Sequence, residues 1–343
     1  MSLFWTFILT SVISYLGGFV AKALLTRYGI VDRPNERSSH DKPVIRGGGV
    51  AVLFSAAVVS CLAVPTSSLP RLAWIALAGL VVAVVSFFDD LRSLPQVLRL
   101  GVHAGAALIA LWVLGFAGQT SQSLPIAAFL AVVCFLWIVG YINAFNFMDG
   151  INGMAGMQLV VTGLGTALVG MTAGESSHHP AIILAFILAG SGAGFLPHNF
   201  PRARMFLGDV GSAPLGYFLA VLAVWLARDL EWWLLGAFGL LQANFILDTA
   251  ITFARRTMRG EKSFEPHREH FYQLLVRAGK SHQFVTRLEC LIQLLVLCIV
   301  LVAVDMDWAA RITAAATVVA MWLAFFGYAE SKYRTTVTGG NIA

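Results

Sequence analysis

Long apolar runs separated by short polar loops organise this chain of 343 residues. A helix needs about 20 mostly apolar residues to cross the hydrocarbon core of a bilayer. Eleven runs meet that length, at about 3–25, 48–66, 72–88, 97–117, 124–142, 153–172, 181–197, 211–228, 232–252, 284–304 and 308–328. The pattern predicts an all-α, polytopic integral membrane protein of about 11 transmembrane helices, with residues 1–343 forming a single transmembrane domain. Composition points the same way: 58% of residues are hydrophobic and 12% charged, against roughly 25% charged in soluble domains. Mean hydropathy is +0.78, which excludes an ordinary soluble enzyme or binding module. The first run has no basic residue before Lys22 and no small-residue cleavage site, so it reads as a retained span and not a cleaved signal. Cys61, Cys134, Cys290 and Cys298 all lie inside apolar runs, with spacing that suggests neither a disulfide framework nor a metal site.

Lys and Arg placement sets the expected orientation, because basic residues collect in cytoplasmic loops. With the N-terminus outside, the inward segments are 26–47, 89–96, 143–152, 198–210, 253–283 and the C-terminal tail. The first contains Arg27, Arg33, Arg37, Lys42 and Arg46; the fifth contains Arg255, Arg256, Arg259, Lys262, Arg268, Arg277 and Lys280. The outward loops hold little beyond Arg71 and Arg228. This asymmetry predicts a periplasmic N-terminus and a cytoplasmic C-terminus. It also accounts for the net charge of +5 without a nucleic-acid partner.

On that topology every dense polar cluster lands on the cytoplasmic face. Span 3 ends in "FFDD" (Asp89, Asp90), span 5 in "NAFNFMDGING" (Asn143, Asn146, Asp149, Asn152), and span 7 runs into "FLPHNFPRARMFLGDVGS" (Asn199, Asp209). Span 9 carries Asp248 and opens into the longest loop, which contains "PHREH" (His267, Arg268, His270). Singly, each cluster has a plainer reading: a solvated span end, an Asn-Asp-Gly turn, a helix N-cap or a surface His/Arg loop. Their convergence on one face favours a site. Acids brought to one membrane interface repel one another unless a cation joins them, and hard carboxylate oxygens suit Mg²⁺ or Mn²⁺ shared with substrate phosphates. Arg and His in the large loop suit phosphate. In "SSHDKPVIRGGG", Lys42, Arg46 and Gly47–Gly49 either admit a phosphate or let span 2 pack closely. His178, His179, Asp305 and Asp307 read as incidental loop residues.

Four separated motifs over roughly residues 29–283 resemble the polyprenyl-phosphate N-acetylhexosamine-1-phosphate transferases, the superfamily of the phospho-MurNAc-pentapeptide translocase. They are "GIVDRPNERSSHDKPVIRGGGV" with "FFDD", then "NAFNFMDG", "HNFPRARMFLGDVGS" and "PHREH". The resemblance implies a Mg²⁺-dependent transfer of a HexNAc-1-phosphate from a cytosolic UDP-sugar to undecaprenyl phosphate in the bacterial inner membrane, releasing UMP. Carried over by position, Asp89 and Asp90 match the aspartate pair, one of them a base or metal holder. Asn146 and Asp149 match the nucleotide-sugar motif, Asn199 an Asn upstream of the third motif, and Asp209 the metal-binding aspartate. His267 and His270 match the loop that holds the diphosphate, and Asp248 with Arg255–Arg256 the stretch leading into it. Ser93 stands where the translocase carries Lys, and Glu269 where close relatives carry His. Those departures point away from MurNAc-pentapeptide and toward transferases that start O-antigen or other surface polysaccharides.

The non-enzyme rival is a secondary transporter, which would place polar groups near the bilayer midplane on broken helices with an internal repeat. No clear repeat is visible, and the acids gather at one interface. A MurNAc-pentapeptide member of the same superfamily is the enzyme rival. Neither the sugar nor the oligomeric state, a homodimer included, is legible in the pattern.

Overall fold

The computed structural model describes residues 1–32, 43–116, 124–261 and 267–339. Thirteen helices run in the order α1 (Leu3–Arg27), α2 (Gly49–Ala63), α3 (Leu69–Leu91), α4 (Gln96–Val113), α5 (Leu124–Met148), α6 (Met154–Thr172), α7 (Pro180–Asn199), α8 (Asp209–Asp229), α9 (Leu234–Leu240), α10 (Ala243–Met258), α11 (Phe271–Arg277), α12 (His282–Val304) and α13 (Trp308–Gly339). Among the described residues, nine helices are long and apolar enough to cross a membrane singly. The chain is therefore an all-α polytopic membrane protein, as the hydropathy pattern predicts.

Two of the eleven expected spans differ from simple crossings. The span expected at 48–66 is the 15-residue α2, about 22 Å long at 1.5 Å per residue and shorter than a hydrocarbon core. The span expected at 232–252 is a pair, α9 and α10, bent by 78°. No proline marks the bend. The freed carbonyl of Leu241 is instead satisfied by side chains of Gln158 (3.3 Å), Thr162 (3.2 Å) and Gln293. Away from water, only such substitutes let a helix break at membrane depth.

A small sheet departs from the all-helical expectation. Strands β1 (Val31–Asp32), β2 (Val44–Arg46) and β3 (Met205–Phe206) pair in the order β1-β2-β3, antiparallel then parallel. Runs this short carry no period-two signal. Their effect is positional, since the β2–β3 register sets Arg46 opposite Phe206, three residues before Asp209.

Helix α8 is the axis of the bundle, almost wholly buried along its length. Small residues let its neighbours close on it. A Cβ on Gly216 would lie 2.8 Å from the Phe145 Cβ on α5, and one on Gly49 at the start of α2 would lie 2.2 Å from the Gly211 Cα. The Gly48 and Gly49 amides donate to the carbonyls of Phe206 and Leu207, both at 2.8 Å. The glycine run thus serves close packing, and those two N–H groups are taken and not free for a phosphate.

Candidate functional site

The end of α3 meets the start of α8 through Asp90. Its carboxylate accepts from the backbone N–H groups of Asp209 (3.1 Å) and Val210 (3.0 Å), capping α8 from another helix. Arg46 Nε lies 2.6 Å from the same carboxylate, and Arg46 NH2 reaches Asp209 Oδ1 at 2.7 Å. Burial works against the guanidinium charge, but the carboxylates of Asp209, Asp90 and Asp32 outweigh it and hold Arg46 above its ordinary pKa. Gly208 is needed at the junction. Its φ is +77°, and a Cβ there would stand 2.9 Å from Asp90 Oδ2. The Asp90 side chain is 1% exposed and fully engaged, so it organises the site from within.

Asp89 faces the other way. It accepts from the backbone N–H of Leu94 (2.7 Å) and pairs with Arg99 of α4 at 2.6 Å. With Asp209, Asn143 and Asn146 it lines one end of a groove of about 620 Å³ between α3, α4, α5, α8 and α10. Leu136, Trp137, Ile246 and Phe253 supply apolar wall elsewhere along it. Ser212, one turn into α8, donates to Asn146 at 2.5 Å and fixes its carbonyl, which leaves the amide N–H₂ as a donor.

Asp149 follows α5 directly and sits half-buried. Burial, then the negative charges of Asp209 and Asp90, raise its pKa well above the ordinary carboxylate value, with Arg46 opposing. The "PHREH" segment packs against this end of α5: the Tyr272 hydroxyl donates to the Phe147 carbonyl at 3.0 Å, and the Phe147 and His270 rings lie 6.3 Å apart. Asp248 of α10 anchors the segment through His270 Nδ1 (2.8 Å) and the Phe271 N–H (2.9 Å). His267 lies 4.9 Å from His270 between ring centres. Burial, with the charges of His270 and Arg256, lowers its pKa to about 4, so it is neutral near pH 7. Glu269 ties to both Arg256 (2.7 Å) and Arg259. Burial works to raise its pKa, but those two guanidinium groups outweigh it and hold it below the usual range. Arg268 is half-buried.

The sequence-predicted residues thus divide. Asp89, Asn146 and Asp209 line the groove directly. Asp149 feels the charges of Asp209 and Asp90 and His267 lies beside His270, but neither these two nor Arg268 line the groove itself. Asp90 and His270 are buried supports, and so is Asn199. Its amide accepts from the Gly153 N–H (2.6 Å) and donates to the Met205 carbonyl (2.9 Å), bracing the start of α6 against β3. Lys42 lies outside the described residues. Sequence reading missed Gln96, Arg99 and His103, all groove-lining residues of α4. A signal existed: Arg99 and His103 are four apart, on one helix face.

Four carboxyl groups here face two guanidinium groups, Arg46 and Arg99. The Asp89 and Asp209 carboxyl groups lie within hydrogen-bonding reach of one another. Among the described residues no three His, Cys, Asp or Glu side chains form a ready metal cage. One or two of the carboxylates, completed by substrate phosphate oxygens, would suit a hard divalent cation.

Fold and site together define a class: a multi-pass membrane protein with a carboxylate- and amide-lined site at one end of its bundle, opening into an apolar groove. Comparison narrows that class. The family model described as glycosyl transferase family 4 matches residues 72–227, from α3 through α8. It is 29% identical over 311 residues to the decaprenyl-phosphate N-acetylglucosaminephosphotransferase of Mycobacterium tuberculosis, covering 80% of this chain and 76% of the relative. It is 28% identical over 274 residues to the probable undecaprenyl-phosphate N-acetylglucosaminyl 1-phosphate transferase of Bacillus subtilis, covering 77% and 74%. The phospho-N-acetylmuramoyl-pentapeptide-transferase of Enterococcus hirae is 32% identical, over 156 residues and 43% of this chain.

Proposed function

We propose that the protein transfers a HexNAc-1-phosphate from a UDP-HexNAc to undecaprenyl phosphate, yielding undecaprenyl-diphospho-HexNAc and UMP, as the first step of O-antigen or another surface polysaccharide. The observation that carries this reading is the junction of two chemistries in one groove. Asp89, Asn146 and Asp209 stand at its polar end, and Leu136, Trp137, Ile246 and Phe253 supply apolar wall. A polyprenyl phosphate needs both, with its chain along apolar wall and its phosphate at the acids. The relatives' names supply the substrate class.

Phosphoryl transfer depends mainly on positioning and charge neutralisation. Asp209 and Asp89 would hold Mg²⁺ (or Mn²⁺), which when bound neutralises diphosphate charge. A phosphate monoester has a second pKa near 6, so the lipid phosphate reaches the site largely as the dianion. Its oxygen attacks the sugar-bearing phosphorus, the bond to the bridging oxygen breaks, and UMP leaves with that electron pair. Asp89 orients the nucleophile in this scheme and Arg99 holds Asp89. The Asn146 amide and Asp149 address the nucleotide sugar; His267, as a neutral donor, and Arg268 address its diphosphate. Asp90, Arg46, Asn199 and His270 keep these groups in register. The site then belongs at the cytoplasmic face of the bacterial inner membrane, where the soluble nucleotide and the lipid phosphate meet.

The test is UMP release by detergent-purified protein given Mg²⁺, undecaprenyl phosphate and a panel of UDP-HexNAc sugars. Release should require lipid and metal, name the sugar, and vanish in Asp209→Asn. Silence across the panel from protein that melts cooperatively would overturn the reading.

A further inference from the structure

A second polar cluster lies at the α9–α10 break. Gln158 of α6, Asn244 of α10, and Glu289 and Gln293 of α12 are each buried, none more than 3% exposed. Their donor groups have partners. Asn244 Nδ2 donates to Gln158 Oε1 (3.0 Å) and Glu289 Oε2 (3.4 Å), while Gln158 Nε2 and Gln293 Nε2 both donate to the Leu241 carbonyl. What remains is a set of acceptors. Glu289 Oε1, Gln293 Oε1 and Asn244 Oδ1 are buried with no partner. All three residues line one small cavity of about 10 Å³, shared with Thr286, Cys290, Met154 and Met157. No Lys, Arg or His is among the lining residues.

Three features limit the occupant. Only electron-pair acceptors are unsatisfied, so it must bring positive charge or protons. The carboxylate has no cationic partner, and an uncompensated charge is not tolerated at membrane depth. The volume matches about one water-sized sphere, too small for a hydrated ion.

We propose that this cavity is a site for one dehydrated sodium ion, held by Glu289, Gln293 and Asn244 and joining α10 to α12 beside the broken span. Ile246, Thr249, Ala250 and Phe253 of α10 line the reaction groove, and Asp248 anchors the His segment. Sodium here fixes one wall of the groove. Its binding is separate from the transferase reaction proposed above.

Purified protein is tested for radioactive sodium binding and for melting in NaCl, KCl or choline chloride at equal ionic strength. The expected result is saturable binding, displaced by unlabelled NaCl and not by choline chloride, with a dose-dependent rise in melting temperature that KCl reproduces weakly. Glu289→Gln should abolish both effects while still melting cooperatively in choline chloride. Gln293→Leu, which keeps the carboxylate, should weaken sodium binding at least tenfold and serves if Glu289→Gln does not fold. Identical melting of the wild type in all three salts, or no saturable binding, overturns the proposal in favour of a proton or water in the cavity. Undiminished binding in both variants overturns the assignment of these ligands.

Discussion

Helix α8 has an aspartate at each end, and the two ends show what separates a site from a span terminus. Its 21 residues cover about 30 Å, roughly a bilayer core. Asp229, at the C-terminal end, is a closed arrangement: it accepts from Trp225 Nε1 (2.8 Å), pairs with Arg228 (2.9 Å) and contacts His179 (3.3 Å). The helix dipole is unfavourable to an anion there, and the partners compensate locally. Asp209, at the N-terminal end, has a favourable dipole but shares Arg46 with Asp90 and sits among further carboxyl groups. It also borders the groove, which Asp229 does not. A span end satisfies its charges, whereas this site leaves negative charge uncompensated beside open volume.

The sharpest test of that contrast exchanges one oxygen for nitrogen at each end. Asp209→Asn should lower the UMP-release turnover by at least ~10³-fold, beyond the loss typical of one electrostatic contact, with melting nearly unchanged. Asp229→Asn should leave turnover within about twofold and lower stability by about 1–2 kcal/mol, the scale of a hydrogen bond to a charged group. Equal losses of turnover at both ends would show that α8 integrity, and not charge placement, sets activity. The neighbouring pair on α3 gives a finer version. Asp89→Asn should cut turnover ~10²-fold in a well-folded protein. Asp90→Asn leaves Arg46 and the α8 amides imperfectly matched and should lower stability by about 3 kcal/mol, as breaking a buried charge network does. Thermal melts run alongside UMP release separate the two outcomes.

The same contrast explains what was legible in the chain. Helices appear in hydropathy because a bilayer demands length, so all but two of the expected spans are single helices. The α9–α10 bend was invisible because its cause is distant in sequence: Gln158, Thr162 and Gln293 replace the helical partner of Leu241. Motif residues were readable as a group, since carboxylates and amides at span ends are costly without a purpose. Their division into groove-facing and supporting members was not. Asp89 and Asp90 are adjacent in sequence, yet a helix turns each residue by about 100°, so one lines the groove and the other caps α8. Asn199 looked like a ligand for the same reason that it works as a brace: its amide offers a donor and an acceptor. Arg99 and His103 escaped notice because they lie within an otherwise apolar helix, outside the polar clusters at the span ends.

Away from the acids, the groove should discriminate by chain length. Phe253 lines it and is 39% exposed. Phe253→Ala removes apolar area worth about 1 kcal/mol to a bound chain, so KM for undecaprenyl phosphate should rise ~5-fold. A prenyl phosphate too short to contact Phe253 should show no change. A uniform rise for both lipids would place Phe253 in general packing and shift the lipid path to the α4–α5 side.

The smallest effect concerns His267. Its pKa is lowered to about 4 by burial and by the neighbouring His270 and Arg256 charges, below the value near 6.5 of an unfolded chain. Between those values the unfolded chain binds the proton and the folded one does not, so stability falls as pH drops from about 6.5 toward 4 and is unaffected above. The side chain is only half-buried, and solvent screening keeps the contribution small. His267→Gln removes the proton site but keeps a donor, so the melting temperature should fall less steeply across that window while matching wild type at pH 8. A bound diphosphate reverses the balance, because its negative charge stabilises the protonated ring. Added UDP-sugar should therefore raise the melting temperature of wild type more at pH 5.5 than at pH 8, and His267→Gln should lose that difference. Melts showing the same ligand-induced rise at both pH values in wild type would remove His267 from the diphosphate site and leave Arg268 as its cation.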